Sequence, residues 1–210
     1  MPLSQGYPVT QTLFFDLGNV IVHVNKERAI REIAKLPGMS LELVQRIALS
    51  QAEIEFETGL LNTVDYLDKI HRQFEIPDGI TEEKLIRIWQ KCFEPIPDVI
   101  EIIPILRQQA RLILLSNTND LHIRAVRLKT DILNEFDDLV LSYQVGTRKP
   151  DKAIYQKALD VAGQSPENCL FIDDLPENVR AARDVGIRSH QYQNIHELKT
   201  FLLEAGLSLR

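Results

Sequence analysis

The sequence predicts an α/β fold in which a doubly wound, open parallel sheet carries an all-helical insert. Two observations support this prediction. Short apolar runs alternate with amphipathic stretches along most of the chain, which is the pattern of a parallel sheet covered by helices on both faces. One long stretch, residues 25–94, breaks the alternation and shows helical patterns without a convincing buried strand. We therefore expect a core domain formed by residues 1–24 and 95–210, interrupted by a helical domain of residues 25–94.

Composition limits the partners that we expect. The chain has 210 residues, of which 44% are hydrophobic and 26% charged, as in water-soluble globular proteins long enough to bury a core. Lys and Arg number 24 and Asp and Glu 30, so the net charge is −6 and no overall positive field attracts nucleic acid. A small phosphate compound stays acceptable as a ligand where a cation or fixed donors lie nearby.

The chain shows no sign of membrane insertion or secretion. Met1–Gln11 has no cationic segment followed by an apolar run, and no apolar stretch reaches the roughly 18 residues that span a bilayer. Cys92 and Cys169 belong to no Cys-x-x-Cys pair, which predicts free thiols. We expect a cytoplasmic protein without membrane contact, either a monomer or a small homo-oligomer.

The first predicted strand is Thr12–Phe15, a continuous run suited to burial on both faces of a sheet. The run ends abruptly at Asp16, and Leu17–Asn19 follows as a turn. The strand therefore delivers a carboxylate at its C-terminal end.

The helical insert begins shortly after this turn. Asn25, Ser40 and Thr81 each precede a helical pattern, and side chains of these types cap helix N-termini. The breaks between the patterns are Pro37–Gly38, Thr58–Gly59 and Pro77–Gly79. Because the insert enters beside the first strand's polar turn, we expect it to act as a lid over that end of the sheet, rather than as a packing annex.

Three later apolar runs repeat the design of the first strand, and each ends in polar residues. They are Arg111–Leu115, Leu139–Leu141 and Cys169–Ile172. Amphipathic stretches predict helices over 98–109, 121–134, 152–162, 177–185 and 197–207. In an open parallel sheet, ligands bind outside the carboxyl ends of the strands.

The strand ends supply the residues that carry chemistry. Carboxylates stand at Asp16 and at the pair Asp173–Asp174, and a hydroxyl and an amide stand at Ser116–Asn117. Converging carboxylates repel one another unless a cation lies between them, and hard oxygen ligands of this kind select Mg²⁺. The sequence therefore predicts a magnesium site that binds phosphate.

A magnesium site formed by carboxylates that also binds phosphate indicates phosphoryl transfer. With a metal offsetting the charge, one carboxylate can attack phosphorus, and water then hydrolyses the aspartyl-phosphate that forms. Ser116 and Lys149 would hold the remaining phosphoryl oxygens.

Four segments, in order, resemble the motifs of the haloacid dehalogenase-like hydrolase superfamily. They are Phe15–Val22, Leu115–Thr118, Gly146–Pro150 and Phe171–Asp174. The resemblance extends from Thr12 to His190 and implies a Rossmann-like core with a small helical cap. The DLGNV form of the first motif is similar to a subgroup that includes α-D-glucose-1-phosphate phosphatases.

The resemblance implies a role for each motif residue. Asp16 would be the nucleophile and a Mg²⁺ ligand, together with Asp174 and the backbone carbonyl of Gly18. Asp173 would support the metal, directly or through water. Lys149 would orient Asp16 and offset phosphate charge, as the second catalytic residue. Ser116 would bind the phosphate, and Asn117 and Asn19 are further candidates for phosphate binding.

One position departs from the commonest pattern of the superfamily. Most of its phosphatases have an Asp two residues after the nucleophile as general acid and base, and this chain has Gly18. Such help contributes roughly 10²–10⁴-fold. A leaving group that needs little protonation, such as an anomeric sugar oxygen or an acyl phosphate, tolerates its loss best, so we favour a hexose 1-phosphate as substrate. His23 is an alternative proton relay.

Two alternatives stay open at this stage. With Gly18 in place of the acid, the chain could be a weakly active or inactive phosphate-binding protein whose cap serves a partner. For the aromatic residues of the insert, Phe56, Trp89 and Phe93, the spacing favours helix core over substrate contact.

Overall fold

The computed structural model describes residues 12–76 and 79–209, so the predictions for Met1–Gln11 and for the turn at Pro77 and Asp78 lie outside the described residues. Seven strands are β1 Thr12–Phe15, β2 Val22–Val24, β3 Phe93–Pro95, β4 Arg111–Ser116, β5 Asp138–Leu141, β6 Cys169–Asp173 and β7 Arg188–Gln191. The helices are α1 Lys26–Ile33, α2 Leu41–Ala48, α3 Gln51–Glu57, α4 Thr63–Phe74, α5 Glu82–Gln90, α6 Pro97–Arg107, α7 Asp120–Arg127, α8 Ser142–Val145, α9 Lys152–Ala162, α10 Pro176–Asp184 and α11 Ile195–Glu204.

Five strands form a parallel sheet in the order β5-β4-β1-β6-β7, with β1 in the centre. All four residues of β1 are buried, and successive side chains enter two different cores. Leu13 and Phe15 pack in the core that includes α6, α7 and α11, whereas Phe14 packs in the core that includes α9 and α10. Helices on both faces confirm the predicted doubly wound, Rossmann-like α/β fold.

The sheet register brings the predicted polar strand ends together. Phe15 lies opposite Leu114 of β4 and Ile172 of β6. One residue further on, Asp16 is therefore level with Asp173. Because parallel strands end at the same edge, the ends of β1, β4 and β6 meet at one place on the molecule.

Helices α1–α5 form the helical cap, which lies in the chain between β2 and β3. These two strands pair antiparallel, with Val22 opposite Pro95 and Val24 opposite Phe93. The three predicted capping residues accept hydrogen bonds from backbone N–H groups of the helices that they precede: Asn25 from Arg28, Ser40 from Leu43 and Thr81 from Lys84. The helical insert is confirmed, and its exact division from the core at residues 25 and 94 stays a prediction.

The cap rests directly on the core. After α3, Gly59 adopts a positive φ of 71°, and a Cβ there would fall 1.9 Å from the backbone oxygen of Tyr143, so only glycine allows this approach. The carboxylate of Glu57 in α3 forms an ion pair of 2.8 Å with Arg148 of the core. None of the described helices is long and apolar enough to cross a membrane.

The structure differs from the sequence prediction in two respects. The helix expected over 121–134 ends at Arg127, and a short 3₁₀ turn, Ile132–Glu135, follows it. Strands β2, β3 and β7 were not predicted, because β2 and β3 have three residues each and β7 reads Arg-Ser-His-Gln, without an apolar run.

Candidate active site

Three carboxylates converge beyond the ends of β1 and β6. Asp16, Asp173 and Asp174 offer oxygen atoms that all lie within 4.8 Å of one another. The ammonium group of Lys149 lies between two of them, at 2.8 Å from Asp16 and 2.6 Å from Asp173. One cation against three carboxylates leaves an excess of two negative charges, which suits a divalent cation with hard oxygen ligands.

All three N–H donors of the Lys149 ammonium group have partners in this arrangement. An ammonium group has three N–H donors, and those of Lys149 donate to Asp16, to Asp173 and to the backbone carbonyl of Leu115 at 2.8 Å. Burial alone lowers the pKa of a lysine, but the two adjacent carboxylates outweigh it and raise the pKa of Lys149 above its ordinary value. A contact between Lys149 and a phosphate, as the sequence predicts, therefore requires one of these hydrogen bonds to be shared or exchanged.

Asp173 is the most enclosed of the three carboxylates, with no solvent exposure. Its oxygens accept hydrogen bonds from Lys149, from the backbone N–H of Leu175 at 2.8 Å and from the Asn178 side chain at 3.0 and 3.1 Å. A carboxylate has about four acceptor positions, and these contacts use them. The geometry therefore favours indirect support of a metal by Asp173 over direct ligation.

Asp16 and Asp174 keep acceptor capacity on the side that faces the cleft. Burial raises the pKa of Asp16 to about 6, against the opposing effect of Lys149. Burial also raises the pKa of Asp174. Both shifts express the cost of holding negative charges close together away from water, which a bound cation would relieve.

Asn19 connects the metal side of the site to the base of the cap. Its backbone has a positive φ of 54°, a conformation that asparagine tolerates better than most residues. Its amide N–H₂ donates to Asp174 at 3.2 Å, and its carbonyl oxygen accepts from the backbone N–H of Val24 at 3.1 Å. Gly18 and Asn19 both line the cleft, so the structure brings these two predicted residues to the site.

Ser116 and Asn117 follow β4 and also line the cleft. Ser116 is almost fully buried. The Asn117 side chain donates to the backbone carbonyl of Lys149 at 2.8 Å and accepts from its backbone N–H at 2.7 Å. Asn117 therefore fixes the loop that carries Lys149, and only one N–H of its amide is left for the phosphate contact that the sequence predicts.

Sequence reasoning missed two buried residues that support the site, Ser142 and Asn178. Ser142 follows β5, and its hydroxyl both accepts from the backbone N–H of Thr118 and donates to the Thr118 carbonyl, each at 2.9 Å. Two sequence features could have identified them: Ser142 directly follows a predicted strand, and Asn178 lies on the buried face of a predicted helix.

Replacing Ser142 with alanine is expected to lower the free energy of unfolding by about 1–3 kcal/mol. The reason is that the backbone N–H and the backbone carbonyl of Thr118 would both lose the Ser142 hydroxyl as their hydrogen-bond partner. Urea unfolding followed by circular dichroism measures the change. Ser50→Ala is the matched control, since the buried Ser50 hydroxyl has no hydrogen-bond partner among the described residues. Equal stabilities for the two variants would contradict the role given to Ser142.

The cleft above the carboxylates is walled by both domains. Lys26, Glu57, Trp89 and Phe93 approach from the cap side and its base, and His122 and Arg148 approach from the core. The rings of Trp89 and Phe93 stack at 5.6 Å. Phe93 is buried in the hydrophobic core and Trp89 packs against that core, as predicted, and both residues also line the cleft. Phe56 is buried against Tyr66, as predicted for helix core.

Neither histidine near the site fits a proton relay. His23 lies exposed on β2 and is not among the residues that line the cleft. Burial lowers the pKa of His122 to about 3, so this imidazole is neutral. Its ring lies 4.1 Å from the Trp89 ring, edge to face.

The parallel sheet is Rossmann-like, and three carboxylates cluster around one buried lysine at the carboxyl ends of its strands. This fold and site define the class of the protein as an α/β enzyme whose site concentrates negative charge. The chain belongs to the haloacid dehalogenase-like hydrolases, because the model of that family matches residues 10–186.

Relatives and solved structures agree with this membership. D-ribitol-5-phosphate phosphatase of Bacteroides thetaiotaomicron is 27% identical over 198 residues, covering 88% of this chain and 92% of the relative. A phosphatase of Mycobacterium tuberculosis is 26% identical over 187 residues, or 84% of each chain. A HAD-like family hydrolase from Porphyromonas gingivalis matches with a TM-score of 0.79 and 26% identity, over 93% of this chain and 98% of the other.

A further structure supports the fold. A HAD family enzyme from Bacteroides thetaiotaomicron, in complex with magnesium and inorganic phosphate, has a TM-score of 0.77 at 24% identity, covering 87% of this chain and 94% of the other. The match to the DLGNV subgroup stays a prediction.

Proposed function

We propose that this hydrolase is a Mg²⁺-dependent phosphatase that acts on small phosphorylated metabolites through an aspartyl-phosphate on Asp16. The observation that carries the proposal is the position of Asp16, which lines the cleft and forms an ion pair of 2.8 Å with the ammonium group of Lys149. Two relatives named as phosphatases that span most of the chain support it.

Asp16, Asp174 and the backbone carbonyl of Gly18 are the groups that we propose to hold Mg²⁺. The donor set fits the ion, because it consists of hard oxygens with an excess of negative charge. When bound, Mg²⁺ would lower the repulsion between the carboxylates and an incoming phosphate and polarise a phosphoryl oxygen. Asp173 would support the metal site indirectly, by holding the Lys149 side chain in position.

The chemistry then takes place on Asp16 in two steps. A carboxylate oxygen of Asp16 forms a bond to phosphorus, and the bond between phosphorus and the leaving-group oxygen breaks. A water oxygen next bonds to phosphorus and releases a proton to solvent, which also supplies the proton that the leaving-group oxygen takes up. The bond between the Asp16 oxygen and phosphorus breaks, and inorganic phosphate leaves. Lys149 keeps Asp16 aligned, and Ser116 donates its hydroxyl to a phosphoryl oxygen.

The substrate that we favour is a sugar phosphate such as a hexose 1-phosphate. Gly18 has no side chain that could protonate a leaving oxygen, so the leaving group must depart with little help or take its proton from water. An anomeric oxygen and an acyl oxygen are better leaving groups than an alkoxide. If simple alkyl phosphates react as fast as glycosyl and acyl phosphates, this selection by leaving group is wrong.

The test is hydrolysis of acetyl phosphate and p-nitrophenyl phosphate with and without Mg²⁺, followed by a panel of hexose 1-phosphates. Mg²⁺-dependent release of phosphate supports the proposal. The second candidate, an inactive phosphate-binding protein, is favoured by Gly18 alone. It would be supported if phosphate binds in the presence of Mg²⁺ and no phosphorylated metabolite is turned over.

Replacing Asp174 with asparagine is expected to raise the Mg²⁺ concentration for half-maximal activity by at least about 10-fold, because the site loses a charged ligand. Titration of activity with Mg²⁺ measures this, and chelation of Mg²⁺ should stop turnover of the wild type. Glu177→Gln, an exposed change near the start of α10, is the control. An unchanged Mg²⁺ requirement in Asp174→Asn would remove Asp174 from the metal site.

A further inference from the structure

The cleft adjoins a second cavity, which the helical cap lines together with Leu121 and His122 of α7, and which we call the cap cavity. The cleft has a volume of about 200 Å³ and the cap cavity about 230 Å³. Four residues line both spaces: Lys26, Glu57, Trp89 and His122. A substrate whose phosphate lies near Ser116 would therefore extend its leaving group past these four residues into the cap.

Helix α3 directs two carboxylates toward this path. Glu53 and Glu57 are one helical turn apart, so they occupy the same face, with Cβ atoms roughly 6 Å from each other. Glu57 lies at the junction of the two cavities, and Glu53 lines the cap cavity beyond it. Glu55, between them in sequence, is absent from both linings and forms an ion pair with Lys69 instead.

Each of the two carboxylates is held in place by one donor. Glu57 pairs with Arg148 at 2.8 Å, and Glu53 accepts a hydrogen bond of 2.6 Å from the Tyr66 hydroxyl. Burial raises the pKa of Glu53 to about 7. Much of the surrounding wall is apolar, formed by side chains such as Ile33, Val44 and Ile47.

This combination discriminates between leaving groups. A plain alkyl group would displace water from the two carboxylates without replacing its hydrogen bonds, which costs free energy. A leaving group with few hydroxyl groups would likewise leave these hydrogen bonds unmade. Hydroxyl groups donate to carboxylates, while the C–H faces of a sugar or polyol pack on aromatic and aliphatic walls such as the ring of Trp89.

We propose that Glu57 and Glu53 recognise hydroxyl groups of the leaving group, and that the leaving group is therefore a sugar or polyol with several hydroxyl groups. This inference rests on the proposed phosphatase function, which it deepens by assigning the subsite that selects the substrate. The phosphate site would be shared by all substrates, and the path along α3 would distinguish among them.

Binding to the Asp16→Asn background separates this inference from catalysis. Isothermal titration with Mg²⁺ present gives the dissociation constants of a hexose 1-phosphate, ribitol 5-phosphate, 3-phosphoglycerate and inorganic phosphate. We expect at least one of the two hydroxylated phosphates to bind more tightly than inorganic phosphate, and 3-phosphoglycerate to bind more weakly than either. Tighter binding of 3-phosphoglycerate would overturn the inference.

Single substitutions then locate the recognition. Adding Glu57→Gln should raise the dissociation constant of the preferred hydroxylated phosphate about 10-fold, the difference between a charged and a neutral acceptor, and leave that of inorganic phosphate within about 2-fold. Glu53→Gln should raise it by less, because burial raises the pKa of Glu53 to about 7 and its carboxyl is partly neutral already. Glu55→Gln, the same change on the other side of α3, should alter neither constant. Equal losses for the sugar phosphate and for inorganic phosphate would overturn the inference.

Loss of the contact between cap and core is a different explanation, and Arg148→Gln tests it. This variant breaks the same ion pair as Glu57→Gln but keeps the Glu57 carboxylate. Selective loss of sugar phosphate binding in Glu57→Gln alone supports recognition, whereas the same selective loss in Arg148→Gln would overturn it. If these binding results hold while the wild type hydrolyses none of the compounds, the phosphatase function fails and the subsite stands.

Discussion

Replacing Asp16 with asparagine is expected to lower kcat by roughly 10⁵-fold or more, the scale on which removal of an enzyme nucleophile acts. Asparagine has nearly the same shape as aspartate and accepts the hydrogen bond from Lys149 with its carbonyl oxygen, but it cannot form the aspartyl-phosphate. The Asp16 side chain is only 12% exposed, so a polar replacement of equal size is needed to keep the site intact. Release of inorganic phosphate from acetyl phosphate, with Mg²⁺ in excess, measures the effect.

The control for this prediction is Asp160→Asn on the exposed surface of α9. It makes the same chemical change far from the carboxylate cluster, and its kcat should equal that of the wild type. Thermal unfolding of both variants shows whether the fold is retained. Activity of Asp16→Asn above about 1% of wild type would mean that another group, or water directly, attacks phosphorus.

Replacing Lys149 with methionine is expected to lower the free energy of unfolding by about 3–5 kcal/mol, the usual cost of leaving a buried charge without its partner. The Lys149 side chain is 1% exposed and that of Asp173 is fully buried, so water cannot take over the lost interaction. For a chain of this length, the melting temperature should fall by roughly 6–20 °C. Activity should fall as well, because Asp16 loses its alignment.

Two further variants test this explanation. Adding Asp173→Asn to Lys149→Met removes one of the uncompensated charges, so the double variant should be more stable than Lys149→Met alone. Lys69→Met breaks a partly exposed ion pair with Glu55, which water can reach, and should cost less than Lys149→Met. If Lys149→Met unfolds at nearly the same temperature as Lys69→Met, the buried cluster does not depend on Lys149.

Much of the fold follows from local sequence signals. Strands β1, β4 and β6 are buried runs of large apolar residues, and such runs have few alternatives to the centre of a sheet. Strand β5 lies at the edge but keeps the apolar run Leu139–Leu141, which made it predictable. Helix starts at Asn25, Ser40 and Thr81 were predictable because a capping side chain satisfies backbone N–H groups of its own helix. Strand β7 escaped prediction because its residues, Arg-Ser-His-Gln, contain no apolar run, and its pairing with β6 holds it in the sheet.

Some features of the candidate site were also predictable from the sequence, and others were not. The convergence of Asp16, Asp173 and Asp174 was predictable because all three follow buried parallel strands. The saturation of Asp173 by Lys149 and Asn178 was not, because it depends on how the start of α10 packs against a loop distant in sequence. The contributions of the cap depend on docking between domains, about which local patterns carry no information.

Asn19 has a consequence for attempts to exchange substrate specificity between relatives by grafting caps. One amide side chain joins the strand that enters the cap, through the backbone N–H of Val24, to the carboxylate of Asp174. A cap transplanted from residue 25 onward would keep this connection in the recipient, but the recipient's strand β2 would then have to pair with a foreign β3. The transferable unit is therefore residues 19–95, which keeps β2, β3 and the contact between Asn19 and Val24 together.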